Sequence, residues 1–230
     1  MSVRELVENS LDAAEMAGTL PDVYVRIIPE GPDSQLTDPK PYRLSVIDNG
    51  PGVSPQHVPS AFGKVFYGSK YVLRQSRGMF GLGGTMAILY GQITTNKPVN
   101  VTTSADGKWK HAFQMIIDIG ENRPTVLKRL RTNADGTTGT RVDLTLEGDY
   151  PRAAQKISDY LKQTAMVASY ANITFVDPQG QVTSTRVLRD VEPLTAATLA
   201  ASQQWHFVPG KQAGANTDSA VIMVVTFRRP

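Results

Sequence analysis

One long stretch of the sequence, residues 50–105, is rich in glycine and contains no acidic side chain. It holds nine of the 19 glycines, and its charged residues are all basic, namely Lys64, Lys70, Arg74, Arg77 and Lys97. Backbone that is free of side chains can close around a phosphate group, and the local positive charge attracts anions. A solvated, flexible basic loop has the same composition. The stretch alone therefore leaves both interpretations open, and the motifs around it must decide between them.

The chain as a whole has the composition of a globular protein. Its 230 residues include 24 Lys and Arg, 21 Asp and Glu, 40% hydrophobic residues and no cysteine, which excludes a disordered chain and a disulfide scaffold. The apolar runs are far shorter than the roughly 20 residues of a membrane span, and no apolar signal core follows Met1. We therefore expect no membrane association and an intracellular location: cytoplasm or nucleoid in a prokaryote, nucleus in a eukaryote. A net charge of +3 is too small to diagnose a nucleic-acid binder.

Hydrophobic periodicity predicts a mixture of helices and strands. The predicted helices cover residues 3–17, 55–67, 84–89, 151–168 and 194–203. The predicted strands cover 23–28, 43–47, 93–95, 99–103, 109–117, 125–131, 140–146 and 220–227, with a hairpin formed by 173–176 and 182–187. A long loop is expected between Gly68 and Gly83. We place a domain boundary near Asp190.

The first predicted helix carries three polar side chains on one face. Glu5, Asn9 and Asp12 are spaced so that they lie within about 60° of one another around the helix axis. Such a row can hold a hard cation through the Asn9 oxygen and place Glu5 to take a proton from water. On an arbitrary helix, a solvated polar face is the more common explanation.

Two further segments have ambiguous chemistry when taken singly. Asp48 ends a predicted strand and precedes Gly50 and Gly52, so its carboxylate can accept a hydrogen bond from the N–H of an exocyclic amine, although the same residues suit a simple turn. The segment from Gly78 to Thr85 is glycine-rich, but it has neither the Gly-Lys-Ser/Thr ending of a Walker A loop nor the Rossmann spacing. A phosphate-binding role for this segment would therefore need a loop of a third kind.

The order of these segments is more informative than any one of them. Glu5-x-x-x-Asn9, Asp48-x-Gly50-x-Gly52, Gly78-x-x-Gly81-x-Gly83 and Gly139-Thr140 together resemble the ATP-binding motifs of the GHKL superfamily, which includes gyrase B, Hsp90, MutL and histidine kinases. Residues 3–13, 62–70 and 74–78 look like the B-type subunit of DNA topoisomerase VI. The resemblance extends over residues 1–188. It implies the Bergerat fold, an α+β two-layer sandwich in which a mixed β-sheet carries helices on one face. We assign this ATPase domain to residues 1–189 and leave 190–230 as a diverged or truncated tail of unknown role.

The resemblance also implies a role for each matching residue. Glu5 would be the catalytic base that activates water, Asn9 the Mg²⁺ ligand, and Asp48 the acceptor of the adenine amine, with Thr140 supporting the adenine pocket. The remaining nucleotide-binding residues would be Gly50 and Gly52 beside Asp48, Ser69 and Lys70 in the lid, and the phosphate-binding loop Gly78, Met79, Phe80, Gly81, Leu82, Gly83, Gly84 and Thr85. The implied cofactors are ATP and Mg²⁺.

The sequence departs from the family pattern at several points. Met79 and Phe80 stand where the family usually has two glutamines. The arm that the family exchanges between protomers would precede Glu5, and we identify no counterpart of its transducer domain, whose lysine reaches the γ-phosphate. We therefore expect the chain alone to be a weak ATPase and largely monomeric.

The resemblance implies the function of the ATP-hydrolysing subunit of a type IIB DNA topoisomerase. ATP-driven self-dimerisation would gate the passage of double-stranded DNA, and a separate A-type subunit, joined with it in a heterotetramer, would cleave the DNA. The alternative is a non-catalytic module of the same fold that binds an A-type partner with little or no turnover. A histidine kinase is disfavoured because His57, His111 and His206 are poorly placed for a phosphoacceptor. A zinc site is disfavoured by the absence of cysteine. Trp109 and Trp205 are interpreted as packing residues.

Overall fold

The computed structural model describes residues 2–31, 37–65, 83–182, 210–212 and 215–217. Its helices are α1 (Ser2–Met16), α2 (Val58–Gly63), α3 (Gly83–Thr95) and α4 (Tyr150–Val167). Its strands are β1 (Asp22–Pro29), β2 (Lys40–Asp48), β3 (Val99–Ser104), β4 (Trp109–Asp118), β5 (Arg123–Asn133), β6 (Gly139–Gly148), β7 (Asn172–Val176), β8 (Gly210–Gln212) and β9 (Ala215–Thr217). None of the helices in these ranges is both long and apolar enough to cross a membrane.

Seven of these strands form one mixed sheet. Its order is β5-β4-β3-β6-β2-β1-β7, and every neighbouring pair is antiparallel except β1 and β7, which are parallel. The central strands β2 and β6 pair from Lys40 with Gly148 to Ile47 with Arg141. The predicted α+β architecture with a mixed sheet is therefore confirmed.

The two faces of the sheet have opposite character. One face is apolar and packs against the helices, with a core that includes Val25, Val46, Val101, Met115 and Phe175. The other face carries charged and polar side chains from the same strands, as the two-residue alternation of a strand requires. These side chains include Arg43, Asn100, Gln114, Arg141 and Asp143, which line a shallow polar depression. The described helices thus form a single layer on one side of the sheet.

Helix α1 forms because its apolar residues recur at helical spacing. Val3, Leu6, Val7 and Leu11 are buried against the sheet, and an apolar stripe of this kind is the usual source of helix stability in a folded domain. The helix ends where Gly18 adopts a φ of +69°, a conformation that glycine accepts without strain. The position of α1 over β1 and β2 fixes where its polar residues point.

Two elements differ from the sequence prediction. The helix expected over 55–67 is short, because a turn covers Pro55 to His57 and α2 spans Val58–Gly63. The strand expected at 93–95 is wrong, because these residues form the last turn of α3. Gly91 allows α3 to approach β6 closely: a Cβ at this position would lie 2.6 Å from the Thr145 carbonyl oxygen. Packing against β6 therefore overrides the low helix propensity of the β-branched residues at the end of α3.

The other predicted elements are confirmed or fall outside the described residues. In the predicted hairpin, Val176 pairs with Val182 through an antiparallel bridge, and the rest of its second strand, residues 183–187, lies outside the described residues. The loop from Gly68 to Gly83 lies outside the described residues apart from its last residue. The helix at 194–203, the strand at 220–227 and the boundary near Asp190 lie outside them entirely.

Candidate functional site

The carboxylate of Asp48 lies at the carboxyl end of β2, under α1. Its Oδ1 accepts hydrogen bonds from the Gly50 N–H at 3.0 Å and the Thr140 N–H at 3.1 Å. Its Oδ2 accepts one from the Ser10 hydroxyl at 3.3 Å. Burial raises the pKa of Asp48 above its ordinary value of 3.8, and the three hydrogen bonds oppose this shift. The fold thus holds a largely buried carboxylate with one oxygen committed to the backbone and the other left more available.

The loop that follows Asp48 is held in place from two directions. Asn49 accepts a hydrogen bond from the Asp22 N–H at 2.8 Å and donates one to the Leu20 carbonyl at 2.9 Å. Gly52 has a φ of +69°, and a Cβ there would lie 2.1 Å from the Ser104 carbonyl oxygen. A residue with a side chain would have to displace backbone at this point. The chain therefore bends at Gly50 after β2, and the bonded Gly50 N–H helps to position the Asp48 carboxylate.

Residues Gly139 and Thr140 approach the same carboxylate from β6. Gly139 has a φ of +141°, and a Cβ would lie 2.0 Å from the Asp48 carbonyl oxygen. Thr140 is buried at 9% exposure and donates its N–H to Asp48. The backbone contact of Thr140 with Asp48 matches the sequence prediction that these residues lie side by side.

The polar residues near the start of α1 meet the amino end of α3. A Cβ on Gly83 would lie 1.5 Å from Glu5 Oε2, and a Cβ on Gly84 would lie 2.7 Å from Asn9 Nδ2. Both side chains thus occupy space that only glycine leaves open. The first turn of a helix has backbone N–H groups without partners inside the helix, and these favour anions. Glu5, Asn9 and the start of α3 therefore form one cluster.

The Asp48 cluster and the Glu5 cluster lie along the same side of α1. Ser10, which contacts Asp48, follows Asn9 directly in the chain, and Ala13 would contact a Cβ on Gly50 at 3.4 Å. From Glu5 to Ala13, α1 extends about 12 Å at 1.5 Å per residue. The helix thus links a carboxylate suited to an amine with a helix terminus suited to phosphate.

The predicted site residues divide into two groups. The structure places Glu5, Asn9, Asp48, Gly50, Gly52, Gly83, Gly84, Thr85 and Thr140 in or beside these clusters, with Thr85 buried in the first turn of α3. Ser69, Lys70, Gly78, Met79, Phe80, Gly81 and Leu82 lie outside the described residues. Asp12, the third residue of the polar row predicted for α1, is buried, with only 4% of it exposed, so a solvated polar face does not describe the whole row.

Two contributors to the site were not predicted in these roles. Ser10 bonds the carboxylate of Asp48, and its position one residue after Asn9 on the same helix was the available signal. Gly139 was recognised as part of a motif, but its positive φ depends on the approach of β2 and could not be inferred from the sequence. Trp109, interpreted from the sequence as a packing residue, is 36% exposed, and the Arg131 guanidinium lies over its ring.

The described ranges contain no group of three or more His, Cys, Asp or Glu side chains arranged to hold a metal ion. An Mg²⁺ ion held through one amide oxygen, phosphates and water does not require such a group.

The match to a known protein family agrees with this geometry. The family described as "Histidine kinase-, DNA gyrase B-, and HSP90-like ATPase" matches residues 2–149, which include both clusters. A solved structure, the N-terminal domain of a DNA repair protein, is similar at a TM-score of 0.49 and 17% identity, covering 79% of this chain and 49% of that one.

Similar sequences come from topoisomerases of the genus Saccharolobus. The chain is 44% identical over 184 residues to the B-type subunit of type 2 DNA topoisomerase 6 from Saccharolobus islandicus and 43% identical over 184 residues to that from Saccharolobus solfataricus. In each case the match covers 79% of this chain and 34% of the relative, so the chain matches about a third of the length of these relatives. The family match covers more than half of the chain and both clusters of the site, and the chain therefore belongs to the histidine kinase-, DNA gyrase B- and HSP90-like ATPases.

Proposed function

We propose that the chain binds ATP with Mg²⁺ and hydrolyses it as a B-type subunit of a type IIB DNA topoisomerase. Nucleotide-driven dimerisation would gate the passage of double-stranded DNA, and a separate A-type subunit would cleave it. The observation that carries the proposal is the contact of Glu5 and Asn9 with Gly83 and Gly84 at the start of α3. The names of the similar Saccharolobus proteins support the topoisomerase part of the proposal.

The adenine end of the site is the Asp48 cluster. Asp48 Oδ1 already accepts two backbone N–H groups, whereas within the described part of the chain Oδ2 has only the longer contact with Ser10. A carboxylate oxygen has more than one acceptor position, so Oδ2 retains capacity for an exocyclic amine. Gly52 lets the adjoining loop lie directly against the Ser104 carbonyl at the end of β3. The proposed adenine subsite is therefore Asp48 Oδ2 together with the loop that Gly52 holds in place.

The phosphate end is the amino terminus of α3. Because Gly83 and Gly84 have no Cβ, the ends of Glu5 and Asn9 lie directly against this first turn, whose backbone N–H groups are donors suited to phosphate oxygens. The first turn itself has no acidic residue, and the carboxylate beside it is that of Glu5 on α1. The turn therefore combines backbone donors with a favourable helix dipole.

Glu5 and Asn9 supply the reactive groups at this end. Glu5 is the proposed general base, taking a proton from the water that attacks the γ-phosphate. Asn9, one turn further along α1, would hold Mg²⁺ through its amide oxygen. When bound, the metal ion neutralises charge on the phosphate oxygens. The chain's own contribution is to position the base beside the helix terminus where phosphate binds.

Titration calorimetry tests the binding proposal. We expect saturable binding of a non-hydrolysable ATP analogue in the presence of Mg²⁺, followed in a separate assay by slow release of phosphate from ATP. No heat at millimolar nucleotide would contradict the assignment of the site. Binding without any phosphate release above the background would instead support the non-catalytic module.

Substitution of Gly83 with alanine tests the position of the Glu5 carboxylate through its effect on kcat, without a large change in the stability of the fold. The new Cβ would lie 1.5 Å from Glu5 Oε2, and the free end of a glutamate can move aside at small cost. We expect Gly83→Ala to reduce kcat by about tenfold or more, because small misplacements of a reacting group are costly in rate. Its thermal unfolding should remain close to that of the parent.

Gly180→Ala is the matched control. Gly180 lies in the turn before Val182, and a Cβ there meets nothing within 4 Å, although its φ of +82° adds local strain. It should lower stability slightly without changing kcat. Equal turnover of Gly83→Ala and the parent would contradict the placement of Glu5 beside Gly83.

A further inference from the structure

The edge strand β5 is unusually basic for its length. From Asn122 to Ala134 the sequence has four cations and no acidic residue, and β5 is exposed along nearly all of its length. Arg123 pairs with Glu121, whereas none of the ion pairs of the described residues includes Lys128, Arg129 or Arg131. These cations do not belong to the nucleotide site, and nothing in the proposed ATPase reaction uses them.

Two of the arginines are held in place by aromatic rings of β4. The Arg131 guanidinium carbon lies 3.5 Å from the centroid of the Trp109 ring, and that of Arg129 lies 5.1 Å from the centroid of Phe113. Since β5 pairs Arg131 with His111 and Arg129 with Phe113, both arginines project from the face that also carries Phe113, which is the helix side of the sheet. Both remain exposed there. Burial, and then the charges of Arg129 and Arg131, lower the pKa of His111.

A stacked guanidinium is pre-organised to bind anions. The ring holds one face of the group, while the N–H donors at its edge remain free for phosphate oxygens. Alternate residues of an antiparallel strand are about 6.8 Å apart, so Arg129 and Arg131 present two such groups in a row. This arrangement suits a repeating polyanion better than a single small anion.

The occupied rings also indicate which nucleic acid fits. Proteins that bind single strands stack bases on free aromatic faces, but in this structure Arg131 covers one face of the Trp109 ring. Binding would therefore be directed to the phosphate backbone, which a duplex presents on its outside at high charge density. We propose that the helix-side face of the β4 and β5 hairpin, at the exposed end where Trp109 and Arg131 lie, is a contact surface for the phosphate backbone of double-stranded DNA, centred on Arg129 and Arg131.

This proposal extends the topoisomerase function, but its test needs no nucleotide. Fluorescence anisotropy of a labelled 30-base-pair duplex, titrated with the full chain over a series of salt concentrations, measures both the affinity and its salt dependence. The R129Q/R131Q variant removes two charges from the hairpin. The K156Q/K162Q variant removes two exposed charges from α4 and is the matched control.

We expect the R129Q/R131Q variant to bind about tenfold more weakly or worse near 0.1 M salt. The slope of log K against log salt should become shallower by about 1.8, since each phosphate contact contributes about 0.9. The control should change both quantities much less, and both variants should bind the ATP analogue as the parent does. Four results would overturn the proposal: no duplex binding by the parent at low salt, equal losses in the two variants, an unchanged slope in R129Q/R131Q, or a loss confined to single-stranded DNA. Failure of ATP binding would leave the duplex measurement interpretable, because it contains no nucleotide.

Discussion

Substitution of Glu5 with glutamine is expected to abolish most ATP turnover and to leave nucleotide binding nearly unchanged. The carboxylate lies beside Gly83 at the start of α3, where it can take a proton from the attacking water. Glutamine has nearly the same shape but cannot accept that proton. General-base catalysis is typically worth about 10² to 10⁴ in rate, so kcat should fall by that factor. Steady-state phosphate release and titration calorimetry on the same preparation separate the two effects.

Glu8→Gln is the control for this prediction. Glu8 lies on the same helix, but it accepts a hydrogen bond from Arg4 Nε at 2.8 Å, and it borders a groove lined by residues of α4 such as Tyr160 and Thr164. It is therefore directed away from α3, and its loss should leave kcat almost unchanged. If Glu8→Gln lost turnover while Glu5→Gln retained it, the base would be Glu8 and the site geometry would need a different assignment.

Much of the fold could be predicted because its strands and α1 carry regular patterns. The alternation in β1, β2, β3 and β6 matches the faces that the structure buries, and the spacing of Val3, Leu6 and Leu11 matches the buried side of α1. β1 and β7 are far apart in the sequence, and no local pattern in either strand predicts that they pair. The place of β7 at the edge of the sheet follows only from the structure.

The site was predictable to the extent that its motifs are local. The contact of Glu5 with Gly83 joins residues far apart in sequence, and only the resemblance to a known superfamily suggested it in advance. Asp12 shows the limit of helical spacing as a guide, because it shares a helix with Asn9 and yet is buried. At the end of α3, strand propensity predicted the wrong structure. The close packing of Gly91 against β6 keeps the β-branched residues that follow it helical.

Substitution of Asp48 with asparagine is expected to weaken nucleotide binding while preserving the fold. The amide oxygen of asparagine can keep the hydrogen bonds from Gly50 and Thr140, which now reach Oδ1. The amide nitrogen then replaces Oδ2 and turns an acceptor for the adenine amine into a donor. A buried polar group left without its partner costs about 1 to 3 kcal/mol, so Kd for an ATP analogue should rise about 5- to 150-fold.

The stability of the same variant provides an independent check. Because burial raises the pKa of Asp48, the folded state keeps a proton there at pH values where the unfolded chain has lost it. The ionised carboxylate therefore lowers the free energy of unfolding as the pH rises from 3.8 through the raised value. In thermal unfolding without nucleotide, Asp48→Asn should gain stability relative to the parent as the pH rises through this range.

Asp143→Asn serves as the control for both measurements. Asp143 accepts hydrogen bonds from Ser45 at 2.5 Å and Arg141 at 2.7 Å on the face of the sheet opposite the helices, so its substitution removes a carboxylate remote from the site. It should leave nucleotide affinity unchanged. If Asp48→Asn and Asp143→Asn bound the analogue as tightly as the parent, Asp48 would serve the turn alone, and adenine would have to be recognised elsewhere in the site. If Asp48→Asn instead lost stability at neutral pH, the carboxylate would be needed for folding, and its effect on affinity could no longer be assigned to adenine.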